Sequence, residues 1–327
     1  MRSVSLKSLA VVALSLLGLV LASTRTSAAP RTLVLLDDNA IRSTHSNFFD
    51  DLAANGHQLS FVNVKEEMVD LKEHDNWLVD NVVVFAPSAE DLGTRTRVTD
   101  LVDFVDNGGS LLLASSSSLS EPLRALANHF GVDYDEDDSL LSDAAATLAA
   151  PATVELPLSS PVVAVSVSAA QGSGAVTGVE VSATVAFAGL GQMVTPKSRF
   201  VKPVIVGNPT TVAGDLTGSD ISLVAAVQSL TGARALFAGS LALFSDAFYA
   251  IKGADNAKVG RALAAWAVHD AAYLRVASAT HRQVRQISIL IGISYLIITW
   301  LKLILLHETL SFSSNVLFLM QKSHLFS

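Results

Sequence analysis

The chain has 327 residues, of which 50% are hydrophobic and 16% are charged, and its formal net charge is −8. This length allows one large domain or two small ones. The acidic balance argues against nucleic-acid binding, because phosphates are neutralised by clustered Lys and Arg. The absence of cysteine excludes disulfides, thiolate nucleophiles and Cys-type zinc sites.

The first 29 residues have the composition of a secretory signal peptide. Arg2 and Lys7 give a basic start, an almost unbroken apolar stretch covers Leu9–Ala22, and small residues follow it. The apolar stretch is short for a membrane span, so an uncleaved anchor is the less favoured alternative. We therefore expect residues 1–29 to direct the chain into the secretory pathway and to be removed.

Four short apolar runs predict buried strands. They are residues 32–38 (TLVLLDD), Leu59–Val64, Asn81–Phe85 and Ser110–Ala114. Such runs suit a parallel sheet covered on both faces, because strands buried on both sides need no polar alternation. Segments with helical spacing separate the runs. This alternation predicts an α/β fold with a doubly wound, mostly parallel sheet.

Three helices are predicted from their apolar spacing and from the glycines that end them. The residues on their buried faces are, in chain order, His45, Phe48, Phe49 and Leu52; Val98, Leu101, Val102 and Val105; and Leu123, Leu126, Ala127 and Phe130. Gly56, Gly108 and Gly131 follow these helices. We expect the helices to cover the predicted sheet.

The second half of the chain changes character at about residue 151. Residues 151–230 are rich in Ala, Val, Ser, Thr and Gly and contain several prolines, which predicts short strands and turns. This β-rich excursion interrupts the α/β pattern. Ala233–Ala238 then predicts one more apolar strand that returns to the first sheet. Helices are expected over about 241–251 and 256–270.

Ile287–Leu306 is long and apolar enough for a membrane helix, since its twenty residues would span about 30 Å. Three arginines precede it, namely Arg275, Arg282 and Arg285. Positive charges next to a membrane helix favour the cytoplasmic side, so they argue against a lumenal placement of the preceding domain. The signal peptide argues for a lumenal domain, and we give the signal more weight. The predicted divisions are a signal peptide over 1–29, a lumenal domain over 30–275, a linker over 276–286, a transmembrane helix over 287–306 and a tail over 307–327.

Asp37 and Asp38 come at the end of the first predicted strand, where open parallel sheets bind ligands. A polar strand end that caps the next helix is the simpler interpretation, and we favour it. No glycine-rich phosphate loop follows this strand, so a dinucleotide site is not expected. A ligand-binding module that uses the strand ends near Asp37 and Ser88 stays open as an alternative function.

Ser115–Ser118 form the corner between the fourth strand and the next helix, where many α/β enzymes hold a nucleophile. No Gly-x-Ser-x-Gly pattern frames them, so a serine hydrolase is only an alternative. His45, His129 and His269 lie on predicted helices without paired metal-ligand spacing, and we expect His45 to be hydrogen-bonded at a helix start. The acidic run Asp135–Asp138 lacks the spacing and the glycine of a calcium loop, which predicts a solvated loop. The sequence thus predicts no catalytic, cofactor-binding or metal-binding residue.

The chain also contains a series of short motifs in a fixed order. They are Arg31–Asp37 (RTLVLLD), Thr44–Phe49 (THSNFF), Phe85–Asp91 (FAPSAED), Phe104–Ser110 (FVDNGGS), Glu121–Arg124 (EPLR), Phe237–Leu241 (FAGSL), Phe244–Phe248 (FSDAF) and Leu274–Val276 (LRV). Together these motifs resemble the family of the 48 kDa subunit of oligosaccharyltransferase. The resemblance covers roughly residues 31–285.

The resemblance implies a type I membrane protein of the endoplasmic reticulum whose lumenal part begins with a glutamine-amidotransferase-like α/β domain. It implies a noncatalytic subunit of the complex that transfers a preassembled oligosaccharide from dolichyl diphosphate to Asn in Asn-X-Ser/Thr. The implied partners are the other subunits, including the catalytic one that holds the divalent metal, and the membrane. No cofactor and no nucleic acid are expected. The absence of cysteine agrees, because enzymatic relatives of that fold use a thiol.

The C-terminal part departs from the family. In the family, a second lumenal β-rich domain precedes the membrane helix. Here the resemblance ends near Gln286, and the apolar stretch begins at Ile287. Residues 287–327 have no counterpart in the family, and both a real short form and a misread gene stay open as explanations.

Overall fold

The structure is a computed structural model that describes residues 29–67, 70–92, 97–151, 161–168, 174–177, 179, 182–195, 198 and 200–271. These residues belong to one compact unit, Met1–Leu274. The described strands are, in chain order, β1 (Arg31–Leu36), β2 (Gln58–Asn63), β3 (Lys72–Glu73), β4 (Asn76–Trp77), β5 (Asn81–Phe85), β6 (Ser110–Ala114), β7 (Val132–Tyr134), β8 (Thr147–Leu148), β9 (Val162–Ser168), β10 (Ser182–Phe187), β11 (Gln192–Val194), β12 (Val201–Val206), β13 (Val212–Ala213), β14 (Leu216–Thr217), β15 (Ser222–Gln228) and β16 (Arg234–Ala238).

A nine-stranded sheet forms the centre of this unit, with the order β2-β1-β5-β6-β16-β15-β11-β7 and with β12 paired to β15. The strands from β2 to β16 in this order are parallel. The α/β class and a largely parallel central sheet are therefore confirmed. The last predicted apolar strand does return to the first sheet, because β16 pairs with β6.

The other half of the sheet is antiparallel, which the sequence did not predict. The strand β15 runs antiparallel to β16, since a short hairpin joins them and a parallel pair needs a long crossover. On the far side, β12, β11 and β7 continue the sheet with antiparallel pairs. The β-rich excursion is thus not separate from the α/β part, because three of its strands (β11, β12 and β15) extend the same sheet. Only β8, β9 and β10 form a distinct three-stranded sheet among the described strands.

Helices cover both faces of the parallel half. They are α1 (Ile41–Thr44), α2 (Ser46–Ala54), α3 (Val98–Asp106), α4 (Glu121–His129), α5 (Gly174–Thr177), α6 (Asp246–Tyr249) and α7 (Asn256–Ala267). Alternate residues of β1 point into two apolar cores: Val34 packs on the side of α2 and α7, and Leu35 on the side of α3 and α4. This explains the unbroken apolar run of β1, since each face needs its own apolar side chains.

Two predicted helix boundaries at the end of the domain are wrong. The segment predicted as a helix over 241–251 is a 3-10 turn, Ala242–Phe244, followed by α6. The break occurs because the Ser245 hydroxyl accepts a hydrogen bond from the Phe248 amide at 3.3 Å and starts a new helix. The helix predicted to reach residue 270 ends at Ala267, and His269 lies beyond it with φ of +66°.

Among the described residues, no helix has both the length and the apolar character needed to cross a membrane. The transmembrane helix predicted for residues 287–306 lies outside the described residues, as does the signal peptide apart from Ala29. Both stay predictions.

Candidate functional site

The carboxyl edge of the parallel strands is the place to look for a site, because open α/β sheets bind ligands where the strand order reverses. In this sheet β1 connects onward to β2 on one side, and β5 lies on its other side. The reversal point is therefore between β1 and β5. Asp37 follows β1 there, and Ser88 follows β5.

Asp37 and Ser88 bind each other across the reversal point. The Ser88 amide and hydroxyl donate to Asp37 Oδ2 at 2.9 and 2.6 Å. The predicted helix-start role belongs to Asp38, whose Oδ1 accepts from the Ala40 amide at 2.8 Å just before α1. The two carboxylates after β1 thus have different partners. Asp37 connects the end of β1 to the segment that follows β5.

His45 lies between α1 and α2 and is buried, with 5% of its surface exposed. Its Nε2 is 3.2 Å from the Leu241 carbonyl oxygen, and its Nδ1 is 3.0 Å from the Thr44 hydroxyl. A carbonyl only accepts, so Nε2 carries the hydrogen. Burial lowers the pKa of His45, which favours the neutral ring. The expectation of a hydrogen-bonded histidine at a helix start is confirmed.

Asp246 joins two distant parts of the chain at this edge. Its carboxylate accepts from the Ser46 amide and hydroxyl at 3.0 and 2.7 Å and from the Asn47 amide at 2.9 Å. These are the free donors of the first turn of α2, which need acceptors outside the helix. Burial raises the pKa of Asp246, but the hydrogen bonds from Ser46 and Asn47 outweigh it and hold the pKa below its usual value.

Three phenylalanines fill the space beneath these polar contacts. The ring centre of Phe85 is 5.0 Å from that of Phe48 and 5.7 Å from that of Phe244. Phe48 and Phe244 are 5.3 Å apart, and all three side chains are buried. Aromatic packing of this kind leaves no room for a ligand between α2, β5 and the turn after β16.

The serine corner does not assemble a nucleophile. Ser115 is fully buried, and its hydroxyl lies 3.4 Å from the Ala238 carbonyl oxygen. The Ser116 hydroxyl donates to the Ser118 carbonyl at 3.4 Å. In the part of the chain that the structure describes, no histidine is hydrogen-bonded to any side chain of Ser115–Ser118. A base is therefore not in place for hydroxyl activation.

The acidic run after β7 is partly organised by Arg124. The guanidinium of Arg124 donates to Asp137 Oδ1 at 2.5 Å and to the carbonyl of Asp135 at 2.7 Å. Asp137 also accepts from the Leu119 amide at 3.1 Å, next to the serine corner. Within the described ranges no group of three His, Asp or Glu side chains could hold a metal ion.

Two glycines at the carboxyl edge allow an unusually close approach of two backbones, which the sequence did not reveal. A Cβ atom added at Gly239 would lie 2.1 Å from the Leu190 carbonyl oxygen, and one at Gly189 would lie 2.0 Å from the Gly239 carbonyl oxygen. The Leu190 amide donates to that same Gly239 oxygen at 2.8 Å. Because neither position has a side chain, the backbone of the loop before β11 packs directly against the backbone that follows β16.

A second polar chain missed from the sequence lies at the opposite, amino edge. His57 Nδ1 is 2.9 Å from the Thr32 hydroxyl, and His57 Nε2 is 3.0 Å from the Asp270 carboxylate. The residue types resemble a hydrolytic triad, but Thr32 is buried and also accepts from Asn81 at 3.1 Å. This chain of bonds therefore holds the starts of β1 and β5 to the segment after α7.

The fold defines the chain as an open-sheet α/β domain, and among the described residues of its carboxyl edge Asp37 and Ser88 bind each other between β1 and β5. Residues 23–270 match the model of the family described as OST48, N-terminal domain. The chain belongs to this family.

Two curated relatives are named as the 48 kDa subunit of dolichyl-diphosphooligosaccharide–protein glycosyltransferase. The protein from Danio rerio is 30% identical over 294 residues, and the one from Arabidopsis thaliana is 28% identical over 284 residues. Each match covers 78% of this chain but 62% of the relative, so the chain spans about three fifths of their length. A solved ThuA-like protein from Parabacteroides merdae is similar with a TM-score of 0.42 at 12% identity, over 76% of this chain and 92% of the other.

Proposed function

We propose that this chain is a noncatalytic structural subunit of the oligosaccharyltransferase complex in the endoplasmic reticulum. That complex transfers a preassembled glycan from dolichyl diphosphate to Asn in Asn-X-Ser/Thr of nascent proteins. The family match over residues 23–270, shared with relatives named as the 48 kDa subunit, carries the proposal. The other subunits, including the catalytic one, would be its partners.

The state of the carboxyl edge supports a structural role. Asp37 is paired with Ser88, His45 with the Leu241 carbonyl, and Asp246 with the first turn of α2. These hydrogen bonds join segments that are far apart in the sequence. The same contacts suit a domain whose role is to keep its shape within a complex.

The proposed placement is single-pass and type I, with the domain over 30–275 in the lumen and the helix over 287–306 in the membrane. The signal-like residues 1–29 and the apolar stretch Ile287–Leu306 support it. Two observations weigh against the alternatives of a serine hydrolase and a ligand-binding module: Ser115 is fully buried, and Asp37 is already paired with Ser88.

Co-purification tests the proposal. A tagged full-length chain, extracted in mild detergent, is expected to bring down the catalytic oligosaccharyltransferase subunit in comparable amount. The matched control joins residues 1–29 and 272–327 to an unrelated folded domain, which separates binding by the α/β domain from binding by the remaining segments. Recovery of the tagged chain alone, while the catalytic subunit stays assembled with other subunits, would contradict the proposed role.

A further inference from the structure

The edge strand β2 lacks the features that usually prevent a further strand from pairing with a sheet. Among the described strands β2 pairs with β1 only, and its six residues (QLSFVN) include no charged residue and no proline. The strand β12 at the other side of the sheet is different. It carries exposed Lys202 and Pro203, and its register shifts twice, after Pro203 and after Ile205. Charges, prolines and bulges protect sheet edges, so β12 is protected and β2 is open.

The hydrogen bonds at the two ends of β2 show which of its backbone groups face β1. The Gln58 amide donates to the Pro30 carbonyl at 2.9 Å, and the Val64 amide donates to the Leu36 carbonyl at 2.8 Å. The backbone groups of successive residues in a strand point in opposite directions. The even-numbered residues of β2 therefore face β1, and the odd-numbered residues face away from the sheet.

Leu59 and Phe61 are the outward-facing residues in the middle of β2. Their amides and carbonyls have no hydrogen-bond partner in the part of the chain that the structure describes. The neighbouring side chains of Gln58 and Ser60 are exposed. Donors and acceptors that repeat every second residue are matched by another extended backbone, because only a strand has the same repeat. The backbone chemistry of this edge thus specifies an extended segment as its partner.

A positive charge without a carboxylate partner lies beside this edge. The guanidinium carbon of Arg42 is 4.4 Å from the centre of the Phe61 ring, and within the described ranges no carboxylate forms an ion pair with Arg42. Residues opposite each other in paired strands have Cβ atoms about 4.5–5.5 Å apart, so an acidic residue opposite Phe61 could reach Arg42. A second copy fits less well. Pairing of β2 with itself about a two-fold axis would bring two Arg42 side chains to the same face, where they repel each other.

We propose that an extended segment of another subunit pairs with the free edge of β2 and adds a strand to the central sheet, with an acidic side chain opposite Phe61 and close to Arg42. The inference rests on the proposed function, because assembly into a complex supplies the second chain. Apolar side chains of the added strand would extend the layer formed by Leu59 and Phe61, which pack against the core beneath α2. In strand addition the backbone bonds supply affinity, and side chains at alternate positions supply specificity.

Amide hydrogen exchange measures this pairing one residue at a time. The full chain is purified alone and within the detergent-extracted complex, and exchange at single amides is followed by mass spectrometry. The outward amides of Leu59 and Phe61 are expected to exchange about tenfold or more slowly in the complex, because they gain acceptors there. The inward amides of Ser60 and Val62 are the internal control. They are expected to keep the same rate, since they already face β1.

A reversal of charge tests the acidic contact. Arg42→Glu is expected to reduce the protection of Leu59 and Phe61 in the complex about fivefold, because it replaces an attraction by a repulsion. Lys252→Glu makes the same change of charge at another exposed position and is expected to leave the protection as it is. Unchanged protection in the Arg42→Glu complex would overturn the acidic contact. Equal unfolding of both variants and the native chain in urea is the check that the fold is intact.

The exchange results also separate the added strand from the proposed function. A chain recovered without other subunits would overturn both. A complex in which Leu59 and Phe61 exchange as fast as in the isolated chain would overturn the added strand alone. Equal slowing of the inward and outward amides would indicate general burial and would overturn it too. Protection that arises in the isolated chain at high concentration would identify a second copy as the occupant and would likewise contradict the proposal.

Discussion

Replacing Gly239 by alanine is expected to lower the free energy of unfolding by about 3 kcal/mol or more. The added Cβ would lie 2.1 Å from the Leu190 carbonyl oxygen, far inside van der Waals contact. The obstacle is backbone, and the Gly239 oxygen is itself bonded to the Leu190 amide at 2.8 Å, so neither strand end can move without losing that bond. Pulse proteolysis of the full chain in increasing urea measures the change.

Gly232→Ala is the control for the conformational freedom of glycine. Gly232 has φ of +89°, and nothing lies within 4 Å of a Cβ added there. At this position alanine is disfavoured only by the left-handed backbone conformation, so we expect the free energy of unfolding to fall by about 1 kcal/mol. Equal losses of stability for the two variants would show that the close approach at the carboxyl edge is not what requires glycine at 239.

The second large effect is expected at Asp143, which is buried with 2% of its surface exposed. Its carboxylate accepts from the hydroxyls of Thr210 and Thr211 at 3.0 Å, from the Asn208 side chain at 3.2 Å and from the Ala145 amide at 3.0 Å. Asp143→Asn removes the charge and places an amide donor among donors. We expect a loss of about 2–4 kcal/mol in the free energy of unfolding.

The decrease in the free energy of unfolding caused by Asp143→Asn is expected to depend on pH. Burial raises the pKa of Asp143, but the hydrogen bonds outweigh burial and hold the pKa below its usual 3.8. A depressed carboxylate pKa stabilises the fold above the unfolded value, and this stabilisation disappears as the pH falls through the folded value. The difference between native chain and Asp143→Asn should therefore be constant near neutral pH and shrink below about pH 4. Asp220→Asn, at an exposed position, is the control. A difference that grows on acidification would contradict the assignment.

Most of the parallel half of the fold could be predicted because its strands are local apolar patterns; the prediction of burial was wrong for β2, which is an edge strand with only Asn63 buried. The apolar runs of β1, β5 and β6 are buried on both faces, and their unbroken character follows from that burial. The antiparallel half could not be predicted in the same way. Its strands pair through contacts such as Gln192 with Ser222, which depend on where distant turns bring the chain.

The closure of the carboxyl edge depends on contacts between distant residues, which local sequence reading does not provide. Asp37 meets Ser88, and Asp246 meets Ser46 across a separation of 200 residues. The sequence indicates Asp37 and Ser88 as strand ends at this edge, but it does not predict the hydrogen bond between them. Two of the motifs that carry the family resemblance, Thr44–Phe49 and Phe244–Phe248, meet at this edge.

Glycan occupancy tests the central claim, that the domain supports glycan transfer without performing it. Cells depleted of this chain are complemented with the native sequence or with a variant in which Ser116, Ser117 and Ser118 are alanine, and occupancy of Asn-X-Ser/Thr sites is measured by mass spectrometry. We expect depletion to lower occupancy and both chains to restore it equally. Unchanged occupancy after depletion, or failure of only the serine variant to restore it, would contradict the claim.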